Sequence, residues 1–345
     1  MIPASSPPAY RDLKVSSESW SLSRPFRISR GVKTVAEVVV VEIREDQCVG
    51  RGEAVPYPRY GESTASVLAQ IEMVRGAIAE GASRQQLLDA LPPGAARNAV
   101  DCALWDLEAQ NPASEAAGTL QSTSTELLTT ALTISLDTPD NMAESARDAS
   151  GWSLIKVKVD TSDPAAQIRA VRLACPDSTL IVDPNESWDG SMLRGMQPVL
   201  VEHRVALLEQ PLPAGSEHSL ENIRSAVPIC ADESCHTAAD LPALEGRFQF
   251  VNIKLDKTGG LTAALSLLEA ARQRGFGIMV GCMVCTSLSI APALHVARFA
   301  QFVDLDGPLW LSSDRTGGVT VEQQRLRAPQ PGFWGQPHQA HSRRS

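Results

Sequence analysis

Hydrophobic and polar residues alternate with two different rhythms along this chain, and the rhythm changes near residue 120. Before that point two β-rich runs, Ala36 to Ile43 (AEVVVVEI) and Cys48 to Val55 (CVGRGEAV), flank the short polar stretch Arg44 to Gln47, which reads as a hairpin connection. Two helical patterns follow. Ser63 to Glu80 opens on a serine cap, and Ala95 to Ala109 (AARNAVDCALWDLEA) is alanine-rich with apolar residues at helical spacing. Strands followed by helices predict an α+β unit. The polar stretch Glu115 to Thr125 is the best linker candidate.

From Leu127 onward short apolar runs alternate with helical patterns. The predicted strands are Leu128–Ser135, Ser153–Val159, Thr179–Asp183, Val205–Glu209, Val227–Ala231, Phe248–Lys254, Ile278–Gly281 and Phe302–Asp304. Helix-starting chemistry lies between them, as in Asp163-Pro164 and Thr138-Pro139-Asp140. Seven strand ends, at Lys158, Asp183, Glu209, Asp232, Lys254, Gly281 and Asp304, follow one another at intervals of about 24 residues. Units of nearly constant length argue for a parallel α/β barrel rather than a doubly wound sheet. The tail beyond Gly332 is polar and is expected to be disordered.

Composition narrows the classes of function. The 345 residues carry 31 Lys and Arg against 40 Asp and Glu, a net charge of −9, which disfavours nucleic acid as a partner. No apolar run reaches the length of a membrane span, and MIPASSPPAYRDLK lacks the basic and apolar regions of a signal peptide. Seven scattered cysteines fit thiols in a reducing cytoplasm better than a disulfide framework.

The predicted strand ends hold the chemistry, because a parallel barrel places its reactive groups there. Asp183, Glu209 and Asp232 end three consecutive strands. Such carboxylates repel one another unless a cation holds them, and an all-oxygen set suits Mg²⁺ better than Zn²⁺. Each could instead cap the next helix, but Glu209 precedes the proline-rich QPLP rather than a helix start. Asn185 and Glu233 follow Asp183 and Asp232 within two residues and, with Asp256 two beyond Lys254, are expected to support the site. Lys156 and Lys158, two apart in LIKVKVD, share one face of a strand, where each ammonium is expected to depress the other's pKa. Lys254 ends the strand standing opposite. A base on each face of a bound carbon, with a metal between them to take the charge of an enediolate, is the arrangement for a 1,1-proton transfer: racemisation or epimerisation.

The segments KVK, DPNES, EQPLP, ADES, NIKLDKTGG and DLDGP together resemble the enolase superfamily, in its muconate-lactonizing branch, from about Pro25 to Leu311. That superfamily's lysine-and-magnesium sites are a known pattern of acid–base tuning. The resemblance implies a (β/α)7β TIM-like barrel (121–311) under an N-terminal α+β capping domain (1–120). Residues 312–332 can return to the cap, and 333–345 form the tail. It also implies Mg²⁺ on Asp183, Glu209 and Asp232, with Lys158 and Lys254 as the acid/base pair and Lys156 tuning Lys158.

Within the branch, Asp304-Leu305-Asp306 is similar to the pair with which dipeptide epimerases receive a substrate's α-ammonium. PYPRYGES, AARNAVDCALWDL and GCMVCTS resemble the same enzymes. The implied substrate is a small dipeptide of the L-Ala-D/L-Glu type from cell-wall peptide, with Arg30 (or Arg24, Arg27 or Arg59) on its distal carboxylate and Cys282 lining the pocket. A homo-oligomer is compatible with the branch. An N-acylamino acid racemase, a cycloisomerase or an o-succinylbenzoate synthase would use the same fold without needing the Asp304/Asp306 pair. A metal-dependent hydrolase or a non-catalytic binding protein would have no use for two opposed lysines. Cys282 and Cys285 read as pocket-lining thiols rather than a zinc or redox site. Gly259-Gly260 reads as a strand-to-helix turn, and His295 as a packed histidine.

Overall fold

The computed structural model describes residues 10–120 and 127–336. Its N-terminal part is an antiparallel sheet of β1 (Asp12–Ile28), β2 (Gly31–Glu45) and β3 (Cys48–Ala54), in that order. Four helices pack with it: α1 (Thr64–Ala79), α2 (Arg84–Ala90), α3 (Ala95–Ala109) and α4 (Glu115–Leu120). The run AEVVVVEI does not alternate because both faces of β2 are covered: Val39, Val41 and Ile43 pack under the cap helices, while Val38 and Val40 join the main core.

Strand β1 escapes a reading of hydrophobic pattern. It is serine-rich, only Leu13 along it is fully buried, and it is held by backbone pairing to β2. Helix α1 starts where expected, with Ser63 accepting from the Ser66 amide in a capping box. Helix α3 lies directly on β3. A Cβ at Gly50 would collide with the Ala103 carbonyl oxygen, and one at Gly52 with that of Ala99, so glycine is required for this approach.

The second part is an eight-stranded parallel sheet in simple sequential order: β4 (Leu132–Ile134), β5 (Leu154–Lys158), β6 (Thr179–Asp183), β7 (Val205–Glu209), β8 (Ile229–Ala231), β9 (Phe250–Ile253), β10 (Gly277–Gly281) and β11 (Phe302–Asp304). The Ala131 amide donates to the Val303 carbonyl at 2.7 Å and brings the first strand against the last. The crossovers carry α5 (Pro139–Asp148), α6 (Pro164–Ala174), α7 (Gly190–Glu202), α8 (Leu241–Leu244), α9 (Leu255–Thr258), α10 (Leu261–Gln273) and α11 (Ser287–Ala297). A 3₁₀ turn, Glu217–Asn222, replaces a helix after β7. This is the α/β class, a (β/α)7β barrel beside an α+β cap.

The floor of the barrel is a small apolar cluster that includes Leu154, Ile181, Leu207, Cys230 and Met279. Two residues further along each strand, the same inward face presents Lys156, Asp183, Glu209, Asp232 and Gly281. The period of two therefore puts a polar layer immediately above a dry floor.

Two stretches differ from the sequence reading. Glu115–Leu120 is helix α4 rather than linker, because Ala116, Ala117 and Leu120 are buried; residues 121–126 lie outside the described residues. Phe333 and Trp334 are buried rather than part of a disordered tail. The Trp334 indole donates to the Arg51 carbonyl at 2.9 Å, and the Gly335 amide to Asp106 at 2.6 Å. Residues 337–345 lie outside the described residues.

Candidate active site

A cavity of about 470 Å³ opens at the C-terminal ends of the strands and is roofed by the cap. Lys156, Lys158, Lys254, Asp232, Asp304 and Asp306 all line it. So do Arg30, Asn185, Glu233 and Cys282. Asp183 and Glu209, both fully buried, lie beneath this lining.

Each carboxylate of the expected trio meets a lysine. Asp183 accepts from Lys158 Nζ at 2.6 Å and lies 3.2 Å from Lys156 Nζ. Burial pushes its pKa up, but these two ammoniums outweigh burial and hold it at about 2. Asp232 sits between Lys254 Nζ and Lys257 Nζ, each at 2.6 Å, and together they hold its carboxyl well below the usual range despite burial. Glu209 differs. Burial and the neighbouring Asp183 charge raise it to about 7, although Lys156 Nζ is 2.7 Å away and Asn252 donates at 2.9 Å.

Lys156 corrects the sequence expectation. Its pKa is raised, not depressed: burial alone would lower it, but Asp304, Glu209 and Asp183 surround the ammonium and outweigh burial. Lys254 is likewise raised by Asp232 against its burial.

As they stand, no three acidic, histidine or cysteine side chains among the described residues converge closely enough to hold a metal. The donor set nevertheless fits a hard divalent cation. Asp183, Glu209 and Asp232 offer only oxygen, and Glu209 Oε2 is buried without a directed hydrogen bond. Asn185 donates to Asp183 from its backbone amide at 2.8 Å and from its side chain at 3.1 Å, leaving its own Oδ1 unpartnered.

The last strand end holds the second polar group. Asp304 Oδ2 accepts from Lys156 at 2.8 Å while Oδ1 is buried and unpartnered. Asp306 Oδ2 accepts from the Thr133 amide at 2.7 Å and the Trp310 indole at 3.2 Å. Burial and the Asp304 charge raise Asp306 to about 6.

One expectation, for Asp256, is corrected. Asp256 supports no part of the polar layer: its Oδ1 accepts from Val55 N and Asn98 Nδ2, both at 2.9 Å, and ties barrel to cap. Lys257 takes the place beside Asp232; it lies three residues, about one helical turn, beyond Lys254. Arg30 lines the cavity, but its guanidinium is committed to Glu186 and the Asn185 carbonyl at 2.9 Å, Glu233 at 2.7 Å and the Tyr57 hydroxyl at 3.3 Å. Of its rivals, Arg24 lies over the Trp310 ring and Arg59 pairs with Glu186. Lys33, which periodicity could not single out, lines the same wall, and its ammonium makes no hydrogen bond or salt bridge among the described residues. Its ammonium lies 4.9 Å from the centre of the Tyr57 ring, and burial lowers its pKa. Asn252 was legible in principle, two residues before Lys254 on the same face of β9.

Comparison with known proteins places this geometry. Residues 10–115 match the family model "Mandelate racemase / muconate lactonizing enzyme, N-terminal domain", and residues 141–333 match "Enolase C-terminal domain-like". The chain belongs to the enolase superfamily. It is 51% identical over 306 residues to the L-Ala-D/L-Glu epimerase of Escherichia coli K12, covering 88% of this chain and 95% of that one. It is 44% identical over 303 residues to an N-acetyl-D-glutamate racemase of a Pseudoalteromonas species, covering 87% and 96%. An enolase family member from Agrobacterium tumefaciens with homology to dipeptide epimerases, crystallised with sodium and L-Ala-L-Glu, superposes with a TM-score of 0.91 at 46% identity, covering 94% and 99%. The dipeptide epimerase of Cytophaga hutchinsonii, complexed with Mg and D-Ala-L-Val, gives a TM-score of 0.85 at 27% identity, with 93% of each chain covered. No helix among the described residues is long and apolar enough to cross a membrane.

Proposed function

We propose that this protein is a Mg²⁺-dependent dipeptide epimerase, an isomerase that inverts the α-carbon of the glutamate in L-Ala-D/L-Glu. The observation that carries this reading is a single cavity lined by Lys158 and Lys254 from opposite sides of the barrel and by the Asp304/Asp306 pair.

Asp183, Glu209 and Asp232 would hold the metal, with Asn185 orienting Asp183. Bound there, the ion supplies positive charge against which negative charge on the substrate carboxylate can develop as the α-proton leaves. One lysine, as free amine, takes the α-proton on its face of the carbon. The other, as ammonium, returns a proton on the opposite face, and the configuration inverts. Lys156, cationic among its carboxylates, stays a fixed charge beside the developing anion. Asp304 and Asp306 receive the dipeptide's α-ammonium, which supports a substrate with a free N-terminus. Lys33 is the cation left for the distal carboxylate, since Arg30 is already committed.

A second reading, N-acylglutamate racemisation, has the Pseudoalteromonas relative in its favour. An N-acylated substrate carries no ammonium, so it would leave Asp304 and Asp306 buried against an uncharged acyl group, at a cost in desolvation. The proposed setting is cytoplasmic, where all seven cysteines would stay as the free thiols observed, and where dipeptides from cell-wall peptide would be recycled.

The test is ¹H NMR of L-Ala-L-Glu with the protein and Mg²⁺ in D₂O. Loss of the glutamate α-proton signal with growth of the L,D diastereomer is the expected result. An unchanged dipeptide alongside racemised N-acetylglutamate would overturn it in favour of the second reading.

A further inference from the structure

Immediately after β6 the backbone takes two consecutive left-handed residues, Asn185 at φ 47° and Glu186 at φ 67°. Non-glycine residues adopt this conformation at a cost, so the surrounding contacts must favour it. The turn leaves Asp183 on the barrel axis and brings Glu186, three residues on, to the rim.

There the Glu186 carboxylate, its side chain only 7% exposed, gathers three loops. Oε1 accepts from Arg59 Nη2 at 2.7 Å and from the Ala214 amide at 2.9 Å, in the loop after β7. Oε2 accepts from Arg59 Nε at 2.8 Å and Arg30 Nη1 at 2.9 Å. Arg30 lies in the turn between β1 and β2, and Arg59 in the 3₁₀ turn Pro58–Tyr60 after β3. These are separate cap segments, and both line the cavity. Ser29 also donates to the Asn185 carbonyl, at 3.2 Å.

We propose that Glu186 is a positioning residue that latches both cap segments over the cavity. Two cationic loops brought to one nearly buried carboxylate form charge-assisted bonds stronger than neutral ones, and a bidentate Arg59 fixes orientation as well as distance. Closing both loops holds a substrate in place and excludes water without touching the reacting carbon. Arg30 is also held by Glu233 at 2.7 Å and by the Asn185 carbonyl at 2.9 Å, and with the latch these contacts complete its commitment and leave Lys33 facing the cavity.

The test uses Glu186→Gln, which keeps an oxygen for the Ala214 amide and removes the charge, with Arg59→Gln attacking the same contact from the cap. The kinetic readout rests on the dipeptide reading above; the exchange readout does not. Expected for Glu186→Gln are a KM for L-Ala-L-Glu raised about tenfold, a kcat within twofold, and faster amide hydrogen exchange in both 29–33 and 57–61 of the substrate-free protein. The double variant is expected to be no worse than Glu186→Gln alone. Exchange unchanged in either segment overturns the latch, as does a fall in kcat at constant KM, which would place the effect on the chemistry through Asn185 and Asp183. If the wild type epimerises no dipeptide, the functional reading fails, while the exchange experiment still decides the latch.

Discussion

Lys158 ends β5 and Lys254 immediately follows β9, four strands apart in an eight-stranded barrel, so the two ammoniums face each other across its axis. Each is paired with its own carboxylate at 2.6 Å, Lys158 with Asp183 and Lys254 with Asp232. In the proposed reaction a substrate carbon between them would meet a proton donor or acceptor on both faces, and each lysine has a separate counter-ion.

Lys158→Ala and Lys254→Ala are therefore expected to lower the epimerisation rate by about a thousandfold or more, with circular dichroism unchanged. Each variant should still exchange the α-proton of one epimer with D₂O, and the two should prefer opposite epimers. Near-normal turnover by both, followed by NMR, would show that the opposed pair is not the machinery.

Lys33→Met is expected to reduce kcat/KM for L-Ala-L-Glu by about tenfold to a hundredfold, the range for losing a hydrogen bond between charged groups. Turnover of a neutral dipeptide such as L-Ala-L-Leu should change little. A specificity ratio identical to the wild type's would return the distal carboxylate to another cation.

Asp256 gives a pH dependence that can be read in stability. Burial raises its folded pKa to about 7, above the unfolded value near 3.8. The folded state thus binds the extra proton between these limits, and the contribution is full below about pH 4 and lost as pH rises through 7. Asp256→Asn keeps an acceptor for Val55 N and Asn98 and cannot ionise. Melting temperatures across pH 5 to 8 should fall less steeply for the variant than for the wild type; parallel curves would contradict this.

Gly52→Ala tests the seating of α3 on β3. The added methyl would strike the Ala99 carbonyl, and overpacking of this kind costs about 1–3 kcal/mol. A lower melting temperature with an unchanged KM is expected, because the residue lies away from the cavity. Calorimetry showing no loss would mean that the helix shifts freely.

The barrel was legible because its strands are short, apolar and regularly spaced: β6, β7 and β11 fall on Thr179–Asp183, Val205–Glu209 and Phe302–Asp304, as the runs predicted. β1 was not legible, since a serine-rich strand held by backbone pairing leaves no hydrophobic signature. The inward layer of Lys156, Lys158, Asp183, Glu209 and Asp232 follows from period two alone. Asp256, although adjacent in sequence to that layer, was misassigned: the turn of α9 directs it to the cap and brings Lys257 back to Asp232.

What the sequence determined by itself is thus the fold class, the strand ends and the residue types offered to the barrel axis, all consequences of local periodicity. Only the tertiary structure decided which charges meet. Arg30 closes on Glu186, Lys33 is left facing the cavity, and Lys156 is raised rather than depressed. A charge's partner and pKa depend on every group within a few ångströms, and those groups come from strands and loops as far apart in sequence as 203 residues for Arg30 and Glu233 and 297 for Arg315 and Glu18.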